Sequence, residues 1–127
     1  MEPAFIFPGQ GTQLVGMGED LAKAFPEARL LFEEVDDALE QELSKIIFEG
    51  PEEQLILTEN AQPAIMAVSM AIIRCFQTED SFSIANNCAF AAGHSLGEYT
   101  ALTFSGVMSF EDGLRVVQHR GESMQAA

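Results

Sequence analysis

Apolar and polar positions fall into blocks that predict helices bracketed by two short buried strands. The run Ala4-Phe5-Ile6-Phe7 is stopped by Pro8-Gly9, which predicts a strand over 4–7 and a loop over 8–14. Helical spacing follows over 17–25 and 27–40, with Pro26 at a first-turn position. A shorter helix is predicted over 42–48, ended by Gly50, and Pro51 opens a brief turn. Residues 61–77 carry the stripe Ala61, Ile65, Val68, Ile72 and Phe76. Ala64, Met66, Ala67, Ala71 and Ile73 fill the other faces, the mark of a buried helix. A polar loop over 78–87 leads to a second strand over 88–92 and a helix over 97–105. Ser109-Phe110-Glu111-Asp112 reads as a capping box opening a last helix.

Strands alternating with helices predict an α/β class with a parallel sheet. Two strands of this length do not make a stable sheet. The last helix meets no stop signal before Ala127. The expectation is therefore that residues 1–127 are one portion of a larger domain.

Between the second strand and the helix after it stands Gly93-His94-Ser95-Leu96-Gly97-Glu98-Tyr99. This is a G-x-S-x-G turn, with apolar residues before it and a helix-compatible run after it. A strand-to-helix turn holds a serine at its tip, and the first helical turn offers free backbone N–H groups to a developing negative charge. Ser95 is thus the candidate nucleophile for acyl transfer or hydrolysis. The N–H of Leu96, the residue after it, is a candidate oxyanion donor. His94 is the serine's neighbour at a strand end, where successive side chains point apart. That favours a structural or pocket-lining role over that of base. Gly9-Gln10-Gly11 is either a plain turn after the first strand or a loop whose glycines let the Gln10 backbone approach a substrate.

Composition narrows the setting. The chain has 127 residues, 47% of them hydrophobic, room for one domain at most. Twenty acids face six bases, a net charge of −14. Nucleic acid is therefore not an expected partner. No apolar run is long enough to span a membrane. Cys75 and Cys88 fit no metal or redox spacing and read as two reduced, buried thiols of a cytoplasmic protein. No metal site is expected.

Four separated motifs carry a family resemblance. They are Phe5-Ile6-Phe7-Pro8-Gly9-Gln10-Gly11-Thr12-Gln13, Thr58-Glu59-Asn60-Ala61-Gln62-Pro63-Ala64, the Gly93–Tyr99 turn, and Gln118-His119-Arg120-Gly121. In this order they resemble the malonyl-CoA:acyl carrier protein transacylases and the related acyltransferase domains of fatty acid and polyketide synthases. Members of that family are more than twice as long as this chain. The resemblance implies an α/β-hydrolase-like large subdomain, interrupted by a ferredoxin-like small subdomain that would begin near residue 127.

The resemblance also implies an activity. Malonyl would pass from malonyl-CoA to Ser95 as an ester, and then to the phosphopantetheine thiol of acyl carrier protein. Coenzyme A enters as a thioester substrate, and no cofactor is expected. Gln10 would supply the second oxyanion N–H. Arg120, on charge alone a surface cation, would bind the malonyl carboxylate through a guanidinium fork. Gln62 would line the active site, although hydrogen bonding at a helix start explains it equally well. The general base would be a histidine beyond Ala127. His119 lies about 100° round a helix from Arg120 and faces elsewhere. The alternatives are a serine esterase or thioesterase, a segment of a polyketide synthase acyltransferase, and a non-catalytic fragment.

Overall fold

A computed structural model describes residues 4–78 and 90–127. The elements run β1 (Ala4–Phe7), α1 (Glu19–Ala24), α2 (Pro26–Leu39), α3 (Leu43–Glu49), α4 (Glu52–Leu55), α5 (Thr58–Gln77), β2 (Phe90–Gly93), α6 (Leu96–Phe104) and α7 (Phe110–Ala126). The strands pair in parallel, with Ala4 opposite Phe90 and Phe7 opposite Gly93. Among the described residues the architecture is mostly helical with this small parallel sheet, as expected of part of an α/β domain.

Helix α5 is the spine. It packs against both α2 and α7, which also touch each other, and α6 packs on both strands. Leu31, Val35, Ala64, Met66, Ala67, Leu114 and Val117 are all fully buried where these helices meet. A second, smaller core joins Phe7 of β1, Ile73 of α5 and Ala101 of α6. There the Phe104 ring lies 5.4 Å from that of Phe5 and 5.3 Å from that of Phe7.

Several boundaries differ from the sequence expectation. Helix α1 starts at Glu19 rather than 17, because Gly16 and Gly18 take left-handed φ angles of 94° and 78° in a preceding turn. Helix α5 starts at Thr58, three residues early, so Pro63 lies inside it rather than in its first turn. Burial decides this: Thr58, Asn60, Ala61, Gln62 and Pro63 are all inside, and packing outweighs one missing N–H. The far end of α5 is not buried all round, since Ile72 and Phe76 are 40% and 44% exposed. Strand β2 ends at Gly93 rather than 92, and its expected start at 88 and 89 lies outside the described residues. So do Cys88 and most of the 78–87 loop. Cys75 is a buried free thiol, and burial pushes its pKa up. The Ser109 hydroxyl caps α7 by accepting from the Asp112 N–H at 3.1 Å. Among the described residues no helix is long and apolar enough to cross a membrane, and no His, Cys, Asp or Glu cluster could hold a metal ion.

Candidate active site

Parallel strands place both their following loops at one edge of the sheet. The loop after β1 carries Gln10, and the turn after β2 carries Ser95. The two touch: a Cβ on Gly9 would lie 3.0 Å from the His94 carbonyl oxygen.

Ser95 sits at the N-cap of α6 with φ 57° and ψ −117°. A residue with a Cβ rarely adopts such a backbone, and where one does the strain tends to mark a functional turn. The flanking glycines make the turn possible. A Cβ on Gly93 would collide with the Gly97 backbone, and a Cβ on Gly97 with the Phe7 carbonyl. The elbow therefore packs backbone against backbone, on itself and on the end of β1. Behind Ser95, the N–H groups of Gly97 and Glu98 are taken by the carbonyls of His94 and Ser95. The Leu96 and Gln10 N–H groups have no acceptor among the described residues.

The charged component arrives on α7. Gly121 lets α7 press on the start of α5, since a Cβ there would lie 2.5 Å from the Thr58 carbonyl oxygen. This brings Arg120 to the elbow. Its Nη2 donates to Ser95 Oγ at 3.1 Å, and its Nη1 donates to Gln62 Oε1 at 2.6 Å. The guanidinium carbon also lies 5.4 Å from the centroid of the Tyr99 ring, a cation–π contact. Gln62 is fully buried. Its Nε2 donates to Thr58 Oγ1 at 2.6 Å and to the Met124 sulfur at 3.3 Å. Gln62 thus bonds both within the helix start and to the arginine. Thr58 Oγ1 in turn donates to Gln10 Oε1 at 2.9 Å.

The structure therefore joins Ser95, Gln10, Gln62 and Arg120 in one bonded cluster, with the Leu96 backbone beside it. It does not bring in the histidines. The exposed His94 side chain has no hydrogen-bond partner among the described residues. His119 is exposed, with Glu122 4.0 Å away. Thr58, Tyr99 and Met124 escaped sequence reasoning. For Thr58 the signal was its place four residues before Gln62, on the same helix face. An apolar cavity of about 430 Å³ between β1 and α5, floored by Phe5, Phe7 and Ile65, is separate from this cluster.

The malonyl CoA-acyl carrier protein transacylase of Bacillus subtilis (strain 168) is 48% identical over 124 residues, a match covering 98% of this chain and 38% of that protein. Its counterpart in Escherichia coli (strain K12) is 43% identical, covering 98% and 39%. The crystal structure of acyl-carrier-protein-S-malonyltransferase from Bartonella henselae superposes with a TM-score of 0.95 at 55% identity, over 99% of this chain and 40% of that one. This chain thus spans about two-fifths of the length of these relatives. The model of the family described as acyl transferase domain matches residues 4–127, from β1 through the elbow to the end of α7. By that match and these likenesses, the chain belongs to the acyl transferase domain family.

Proposed function

We propose that Ser95 carries a malonyl group from malonyl-CoA to the phosphopantetheine thiol of an acyl carrier protein. The observation that carries this reading is the Arg120–Ser95 contact at 3.1 Å. It puts a guanidinium one hydrogen bond from the nucleophile, within reach of a short acyl group's far end. Malonyl ends there in a carboxylate. An arginine answers a carboxylate with two parallel N–H···O bonds. The names of the relatives, malonyl transacylases and malonyltransferases, support the same substrate and acceptor. So does a type II PKS acyl-carrier protein solved in complex with its malonyl-transacylase, to which this chain is 44% identical.

In the first half-reaction Ser95 Oγ attacks the thioester carbonyl. The C–S bond breaks, the serine ester forms, and the serine proton ends on the coenzyme A thiol. In the second half the pantetheine sulfur attacks the ester, and its proton returns to Ser95. Both tetrahedral intermediates place their oxyanion against the N–H groups of Leu96 and Gln10. Neither His94 nor His119 bonds the serine hydroxyl, so neither is the base in this reading. The strand–elbow–helix unit is the nucleophile-bearing part of an α/β-hydrolase-like subdomain. The reaction calls for no metal or cofactor beyond the coenzyme A thioester itself. It suits a cytoplasmic setting, where thiols such as Cys75 stay reduced.

The test is Arg120→Ala in the full reading frame, assayed with malonyl-CoA and acetyl-CoA. The malonyl kcat/KM should fall roughly 10- to 100-fold more than the acetyl value. Equal losses would favour a serine esterase or thioesterase instead.

A further inference from the structure

The bonds from Arg120 to Gln10 form a line whose direction is fixed throughout. Arginine can only donate, so Gln62 must turn Oε1 toward Arg120 Nη1, at 2.6 Å. Its Nε2 then faces the other way and gives its two hydrogens to Thr58 Oγ1 and the Met124 sulfur. Having accepted from Gln62, the Thr58 hydroxyl donates its own hydrogen to Gln10 Oε1 at 2.9 Å. The Thr58 backbone is held as well, its N–H donating to Gln125 Oε1 at 3.3 Å. Thr58 is 8% exposed and Gln62 is fully buried, so water does not readily replace the bond between them. Thr58 is the junction. On one side lies the group read here as the carboxylate clamp, and on the other the loop read as an oxyanion donor.

We propose that Thr58 is a positioning residue that couples the Arg120 clamp to the Gln10 loop. The proposal rests on the roles given to Arg120 and Gln10 under the proposed function. A carboxylate bound at Arg120 draws the guanidinium into a fixed pose. Gln62 keeps its amide aligned with that pose, and Thr58 passes the alignment to Gln10. Selectivity for a carboxylate-bearing acyl group is then expressed partly in kcat, through the oxyanion donor, and not in binding alone.

The experiment is a double-mutant cycle on the full reading frame, with malonyl-CoA and acetyl-CoA as the two probes. Thr58→Val keeps the shape and removes the hydroxyl. It should lower the malonyl kcat about tenfold or more, with a smaller loss on acetyl. Thr58→Ser should restore most of it. In an Arg120→Ala background the malonyl and acetyl losses from Thr58→Val should become equal. Gln10→Met breaks the far end of the line, leaves the backbone donor in place and alters no residue of α5. It should reproduce the excess malonyl loss, so the test stands even where Thr58→Val fails to fold. Equal losses on both substrates in the wild-type background would overturn the coupling. So would an unchanged malonyl excess once Arg120 is gone, or a Gln10→Met protein with normal preference. An Arg120→Ala protein that keeps its malonyl preference would instead overturn the clamp itself, and this proposal with it.

Discussion

Ser95 holds a φ of 57° although it carries a Cβ, a posture that costs on the order of 1–3 kcal/mol. Removing the Cβ should recover part of that cost. Ser95→Gly is expected to stabilise the fold by about 1 kcal/mol in a urea titration, and to abolish the malonyl adduct that the proposed function predicts in an intact-mass spectrum. The opposite change at a neighbour should be harmful. Gly97→Ala drives a methyl into the Phe7 carbonyl and should cost about 1–3 kcal/mol in the same titration. A neutral result would mean that the elbow can shift without penalty. These residues were legible in the sequence because the turn's demands are local: two missing Cβ atoms and one serine between them. Thr58 and Tyr99 were not, because their roles exist only once α7 crosses α5 and delivers Arg120 between them.

Helix α7 meets α5 through Gly121, whose Cα faces the Thr58 and Glu59 backbone. Gly121→Val should force the helices apart and move Arg120 with them. We expect a lower melting temperature together with a loss of malonyl-over-acetyl preference, both followed on one preparation. At the other end of α7, Arg74 reaches from α5 to Glu34 of α2 at 2.8 Å. That hydrogen bond holds the Glu34 carboxyl below its usual value, while hydrogen bonding to Glu34 pushes Glu111 up. For Glu34 the folded value is depressed, so its contribution is present above the ordinary glutamate range and fades as pH falls through the lowered value. Glu111 has the opposite sign, contributing at low pH and losing that contribution as pH rises. Glu34→Gln should therefore lower stability near neutrality and flatten the acid limb of a urea-midpoint-against-pH curve. An unchanged acid limb would show that the pair is too exposed to matter. Most helices were legible from apolar spacing. The start of α5 was not, since a proline near a helix start reads as first-turn punctuation until the burial around it is known.

Across the whole chain, twenty acids oppose six bases. Such a surplus repels itself, and salt screens that repulsion. The melting temperature should rise from low salt to roughly 0.5 M sodium chloride. A fall would mean that ion pairs such as Arg74–Glu34 outweigh the general repulsion. The α/β character and a parallel sheet were legible from two apolar runs and the helices between them, but the register of the two strands was not. That register has a further consequence. Phe7 sits opposite Gly93, so the loop bearing Gln10 and the turn bearing Ser95 leave the sheet at the same level. In the proposed reading, the gap between the Gln10 and Leu96 N–H groups thus depends on the alignment of two four-residue strands. A slip of one position would carry one donor about 3.3 Å past the other, more than the width of the oxygen they would share. The sheet would then work as a ruler for the proposed chemistry at its end.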